Sequence, residues 1–263
     1  MFITQVVHYT PLKERFEYLS KFERVLNIEN FVTEKSFPSR NLKYAHTQKV
    51  FGIHPIRYGF NFGVNSRALS MTRRRAALEG FRLLAIGMLL RKYQHVMTGS
   101  IPKFQRLEKN QLELSAMHLA AIRSGYESKS DWILVLEDDA RISDKNYLDI
   151  ESVCSMFKKD EIIFVNLNSG AGMLRTTSDP EPNKLGIYRV KPIAVRCTTS
   201  YLINRNTALK ILDLVESKNL QDWLPIDYQM QIALQKIKAK TFWQDPPMFI
   251  QGSEDGSYKS NLR

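Results

Sequence analysis

The stretch Asp131 to Arg141, DWILVLEDDAR, limits the possible folds of this chain more than any other. Trp132 to Leu136 is apolar and rich in Ile, Leu and Val without polar alternation, the pattern of a strand covered on both faces of a parallel sheet. Glu137, Asp138 and Asp139 follow at once. Burying three carboxylates together costs on the order of several kcal/mol each unless they are paired or bound to a cation. The strand is therefore expected to leave the core at this point. In open α/β sheets ligands bind at the carboxyl ends of strands, and pleating sends successive side chains to opposite faces. Glu137 and Asp139 are expected on one side and Asp138 on the other. Such an oxygen-rich site suits a hard ion, Mg²⁺ or Mn²⁺, which takes carboxylates and substrate phosphates rather than a complete protein cage. A solvated acidic turn capping the next helix would explain an isolated EDD equally well, so the rest of the chain has to decide.

The 263 residues fit one large α/β domain or two small ones, and 43% hydrophobic residues are enough for a substantial core. There are no internal repeats and no low-complexity segment. Cys154 and Cys197 form no close-spaced motif and read as reduced thiols of a cytosolic protein. MFITQVVHYT lacks the basic and apolar regions of a secretory signal, and no apolar run approaches the roughly 20 residues of a spanning helix. A soluble or peripheral cytoplasmic protein is expected. The net charge of +11 is concentrated at one end, because residues 1 to 100 carry 16 Lys and Arg against six Glu and no Asp. A field of that sign attracts nucleic acid, anionic lipid or a phosphorylated glycan. A solvated basic face with no partner is the plainer alternative.

In chain order, Ile3 to His8 reads as a first strand. Thr10 as N-cap and Pro11 in the first turn open a helix to about Leu26, with Phe16, Leu19, Phe22, Val25 and Leu26 as its core stripe. Asn30 to Thr33 is a candidate second strand, giving a βαβ opening. Residues 37 to about 106 read as a basic, largely helical insertion: a Pro- and Gly-punctuated stretch, then an Arg-rich helix from Ser70 to about His95. That helix suits an anionic membrane surface or a core position with a charged outer side. A helix from about Leu107 to Gly125 precedes the EDD strand, and another runs from Ser143–Asp149 to Lys159. Glu161 to Leu167, Ile187 to Val190, Ile193 to Val195, Thr199 to Ile203 and Met248 to Gln251 read as strands. Helices are expected from Thr207 and around Asp227, the latter with Pro225 in its first turn. Asn168 to Asn183 is long enough for a substrate loop.

Four pieces in this order, VLEDDA, SYLINRNTALKIL, PIDYQM and a closing PP…QGSEDGSYKSNLR, together with the opening strand and helix, resemble glycosyltransferase family 25. This family includes bacterial lipooligosaccharide β-galactosyltransferases and resembles collagen galactosyltransferase domains. Where the family has a Gly- and Cys-containing segment before the acidic strand, this chain has NQLELSAMH and keeps only His118. The resemblance implies a single GT-A-like domain, a doubly wound mixed sheet flanked by helices. It also implies an inverting, metal-dependent transfer of a hexose such as galactose from a nucleotide-sugar donor, a UDP-sugar first of all. The acceptor would be a glycolipid, a lipooligosaccharide or a surface polysaccharide. Glu137 and Asp139 would hold Mn²⁺ or Mg²⁺ against the donor diphosphate, and Asp138 or Asp139 could instead hold the ribose. Asp227 is the candidate general base, or else a helix N-terminal carboxylate facing the dipole. His8, Thr10, His118, Tyr201, Gln251, Gly252, Ser253 and Lys259 are candidate donor contacts. Arg263 would add charge beside Lys259, while Thr199 and Ser200 would stand near Tyr201.

Two other classes compete. A sugar nucleotidyltransferase would also place carboxylates on such a sheet, but it calls for a Gly-rich phosphate loop after the first strand, and His8 to Lys13 contains no Gly. A nucleic-acid-binding protein would use the basic half, yet that half matches no binding-module signature, and no nucleic-acid partner is expected.

Overall fold

The computed structural model describes residues 1–33, 103–143, 149–168, 179–190, 197–217, 226–253 and 256–258, with side chains for all of these except 103–112 and 228. Its elements are β1 Phe2–His8, α1 Lys13–Ser20, α2 Glu23–Leu26, β2 Ile28–Thr33, α3 Lys103–Glu127, β3 Trp132–Glu137, β4 Ala140–Ile142 and α4 Ile150–Ser155. They continue with β5 Ile163–Asn166, β6 Ile187–Val190, β7 Ser200–Asn204, α5 Arg205–Glu216, α6 Ile226–Lys236, β8 Lys240–Gln244 and β9 Phe249–Gln251. Seven strands form one mixed sheet in the order β2-β1-β3-β7-β5-β8-β6, and β4 pairs with β9 in a small separate ribbon. Five of the seven run the same way; β7 and β6 are reversed. The arrangement is α/β and compatible with a Rossmann-like fold.

β3 lies inside this sheet because its side chains have cover on both sides. Ile133 and Val135 join one apolar cluster with Met117, Ala121 and Ile122 of α3, Ile211 of α5 and Met230 of α6. Trp132, Leu134 and Leu136 join a second with Leu19, Leu26, Ile150 and Val153 from α1, α2 and α4. Each fully buried aliphatic side chain contributes about 1.5–3 kcal/mol relative to an exposed one. In this mixed sheet β3 has a parallel neighbour in β1 and an antiparallel one in β7. This reversal brings the start of β7 to the edge where β3 ends, and Ser200 sits opposite Leu136.

The first helix differs from its expected form. It breaks into α1 and α2, and its N-cap is Leu12, with no side-chain cap from Thr10. Leu19 and Leu26 are buried, but Phe16 and Val25 are exposed and Arg15 is buried in their stead. The reason is electrostatic, since α1 is phased to bring Arg15 onto Asp138. α2 ends at Asn27 in a left-handed conformation, φ 48°, from which β2 starts. α3 begins upstream of the expected Leu107. α4 is shorter than the helix expected up to Lys159 and is capped by Asp149, whose side chain accepts from the Ser152 N–H. β4 and β8 were not anticipated. Most of the expected insertion, the Ile193–Val195 strand, most of the Asn168–Asn183 loop, Pro225 and the tail after Tyr258 lie outside the described residues. Cys154 and Cys197 are both free thiols, and burial pushes the Cys154 thiol up to about 12. Among the described residues, no helix is long and apolar enough to cross a membrane.

Candidate active site

The acidic triplet divides among three environments at one edge of the sheet. β3 ends at Glu137, Asp138 and Asp139 form a turn, and β4 begins at Ala140. Strand alternation holds for the first two: Glu137 continues the Ile133–Val135 side toward α3, and Asp138 faces α1.

Asp138 is saturated by its own chain. Its Oδ1 takes Arg15 Nη1 at 2.7 Å, and its Oδ2 takes His8 Nδ1 at 3.1 Å and the Tyr9 N–H at 3.0 Å. All three side chains, Arg15, His8 and Asp138, are buried. Asp138 and His8, both among the expected donor contacts, bind each other, and Arg15 compensates the buried carboxylate. Their work is to fix the β1–α1 turn to the end of β3.

Glu137 is held from the other side. Its Oε1 lies 3.2 Å from His118 Nε2 and accepts the Thr198 hydroxyl at 2.9 Å. His118 Nδ1 is 3.1 Å from the Tyr201 hydroxyl, and the two rings stack with centroids 5.8 Å apart. A carboxylate only accepts, so His118 Nε2 donates to Glu137. Both His118 and Tyr201 have no exposed surface. Both are among the expected donor contacts; in the structure they form a buried chain from Tyr201 through His118 to Glu137. Burial, and then the Glu137 charge, push the Tyr201 hydroxyl well above its ordinary range.

Asp227, in the first turn of α6, completes this side. Its Oδ1 is 3.1 Å from Thr198 Oγ1, and the Thr198 backbone N–H also donates to it. Burial, followed by the neighbouring Glu137 charge, raises its carboxyl to about 6 against the opposing Thr198 hydrogen bonds.

Asp139 is buried beside the segment after β9. The Gly252 N–H donates to the Asp139 carbonyl at 2.8 Å, and the Gly252 carbonyl accepts from the Tyr258 N–H at 2.8 Å. A Cβ at position 252 would stand 2.9 Å from Tyr258 Cε2 and 3.1 Å from the Asp139 carbonyl, so only glycine lets the two strands of chain close. The Ser253 side chain hydrogen-bonds the Asp139 carboxylate, yet burial and then Glu137 still raise that carboxyl to about 7. Asp139 Oδ1 is buried without a hydrogen-bond partner, as are Thr199 Oγ1, Ser200 Oγ and Gln251 Oε1.

The edge thus gathers Glu137, Asp139, Asp227, Gln251, Gly252 and Ser253, with Thr199 and Ser200 at the start of β7. Thr10 is partly buried in the β1–α1 turn. Lys259 and Arg263 lie outside the described residues. Sequence reasoning passed over Arg15 and Thr198. Arg15 carried no motif, although its seven-residue distance from His8 spans the β1–α1 turn. Thr198 lay in plain view in CTTS, one residue before the pair singled out. Among the described residues, no group of three or more His, Cys, Asp or Glu side chains is placed to hold a metal. Two carboxylates, one with a partnerless buried oxygen, nonetheless fit a hard ion whose remaining ligands come from phosphate and water. No protein-family model matches the chain, and comparison with curated proteins finds no match.

Proposed function

We propose that this protein is a metal-dependent, inverting glycosyltransferase. It would move a hexose such as galactose from a nucleotide-diphosphate donor to a lipooligosaccharide or surface-polysaccharide acceptor. The observation that carries this reading is the convergence of Glu137, Asp139 and Asp227 at one strand edge, with two of the three carboxyls raised toward neutrality. Like charges gathered this way oppose folding, and they cluster where a cation or a proton transfer uses them.

Glu137 and Asp139 would hold Mn²⁺ or Mg²⁺, which when bound neutralises charge on the donor diphosphate. Asp227 is the general base. A carboxyl near 6 is ionised at neutral pH and more basic than an ordinary aspartate, which suits removal of a proton from an acceptor hydroxyl. The partnerless hydroxyls of Thr199 and Ser200 and the Gln251 oxygen offer hydrogen bonds to a sugar or phosphate. The resemblance to glycosyltransferase family 25 supports the same chemistry from the motifs. The basic residues 1 to 100 would hold the acceptor's phosphates or the anionic lipid around it, which makes this a peripheral protein of the inner membrane face.

The test is donor binding and slow hydrolysis across a panel of nucleotide sugars, with and without Mn²⁺, on wild type and Asp139→Ala. Metal-dependent turnover of one donor, reduced at least about a hundredfold in the variant, is the expected result. If no nucleotide sugar binds in either condition, the reading fails.

A further inference from the structure

Thr198 lies where the two halves of the site meet. It is 2% exposed, immediately before β7, and its hydroxyl oxygen is 2.9 Å from Glu137 Oε1 and 3.1 Å from Asp227 Oδ1. A hydroxyl has one hydrogen to give, and two carboxylates cannot both take it. The backbone resolves the shortage, since the Thr198 N–H also donates to Asp227. One residue therefore supplies a donor to each carboxylate, its N–H to Asp227 and its O–H to Glu137. Glu137 and Asp227 are 90 positions apart in the chain and repel one another as ions. They are nevertheless held together through a single side chain.

We infer that Thr198 is a positioning residue that fixes the Glu137 carboxylate relative to Asp227, so that the metal-holding and proton-accepting groups share one frame. The inference rests on the transferase reading and adds to it a residue that touches neither substrate nor metal. His118 steadies Glu137 at the same oxygen, 3.2 Å away. With His118 alone the carboxylate keeps one anchor and is free to turn about it. The two donors of Thr198 also differ in what a substitution removes. Valine has the shape of threonine but no hydroxyl, so Thr198→Val abolishes the donor to Glu137 and leaves the N–H on Asp227. Serine keeps both.

The experiment measures Mn²⁺ affinity by calorimetry, with the metal alone, on wild type, Thr198→Val and Thr198→Ser, after thermal melts have shown which variants are folded. It then measures KM for Mn²⁺ and kcat with the donor found for the wild type. Thr198→Val should weaken Mn²⁺ about tenfold or more and raise its KM in step, with a smaller fall in kcat, because Asp227 keeps its backbone donor. Thr198→Ser should restore most of the metal affinity. If Thr198→Val binds Mn²⁺ as wild type does, or if serine does not rescue, the positioning role is overturned even where transfer is intact. If wild type binds no Mn²⁺, the role is likewise overturned. Should Thr198→Val fail to fold, the comparison is made on Thr198→Ala and Thr198→Ser, and equal metal affinity in those two overturns it. Failure of the transferase reading looks different: Mn²⁺ affinity responds to Thr198 as expected, but no nucleotide sugar is turned over.

Discussion

Asp227 illustrates how a buried carboxyl weakens the fold that holds it. Its folded pKa of about 6 lies above the ordinary 3.8, so the folded state binds the proton more tightly than the unfolded chain. The stabilisation is fully present below the unfolded value and is lost as pH rises through about 6, amounting to about 3 kcal/mol at pH 8. Asp227→Asn should therefore melt at least roughly 5 °C higher than wild type at pH 8 and show little gain at pH 4. If the proposed transferase reading holds, its transfer rate should fall about 10²- to 10⁴-fold, the effect of removing a general base. Paired melts at the two pH values check the first statement, and a rate measurement on the same preparations checks the second. Asp139 has the same sign with a different readout. Since its carboxyl stands at about 7, a cation must displace a proton at lower pH. Mn²⁺ affinity should rise severalfold between pH 6 and pH 8, and calorimetry in buffers of different ionisation enthalpy should register the released proton. Asp138, tied to Arg15 and His8, behaves differently: Arg15→Ala should cost about 3–5 kcal/mol in urea unfolding because it strands a buried carboxylate.

Individual elements differ in how openly the sequence announced them. The five apolar residues of β3 announced it, since so short a run of Ile, Leu and Val without alternation suits a covered strand better than a helix, and three carboxylates marked its end. α5 was legible from Thr207 onward, but it starts two residues earlier than expected, at Arg205, with Asn204 as its cap. That side chain accepts from the Thr207 N–H at 3.0 Å and from its hydroxyl at 2.6 Å, and its Nδ2 donates to the Glu161 carbonyl at 2.5 Å, tying α5 to the approach to β5. Asn204→Ala should destabilise the protein by about 2 kcal/mol by urea titration, a cap together with buried partners left unsatisfied, without changing metal affinity. α1 was read with the wrong face inward because apolar spacing was the only signal available. The ion pair that turns the helix joins Arg15 to a residue 123 positions away, which no local pattern records. β4 and β8 escaped for related reasons. β4 has three residues directly after an acidic turn, and β8, KTFWQ, keeps its Thr241 and Trp243 inward while its flanks are polar. At the site, carboxylates at strand ends could be recognised by type. Thr198 could not, because its importance comes from the antiparallel turn of β7 and from Asp227 arriving from another element.

For the molecule as a whole, the concentration of positive charge in residues 1 to 100 makes surface binding a separable property. Association with vesicles containing anionic lipid should be measurable at low salt and fall steeply as ionic strength rises, because the Debye length shrinks to about 8 Å near 0.15 M. Absence of association at low salt would remove the membrane part of the proposal and leave the transfer chemistry standing. The sheet's connectivity imposes an order of assembly as well. Asp139 receives its last neighbours from Gly252 and Ser253, and β4 has β9 as its strand partner, so the acidic turn is finished by segments far downstream. A chain emerging from the ribosome N-terminus first lays down β1, β3 and their helices well before those segments exist. Asp138 by then has its partners His8 and Arg15, while Asp139 still lacks Gly252 and Ser253. The charge crowding that defines the finished site is imposed late in synthesis, after much of the apolar framework that must withstand it has been made.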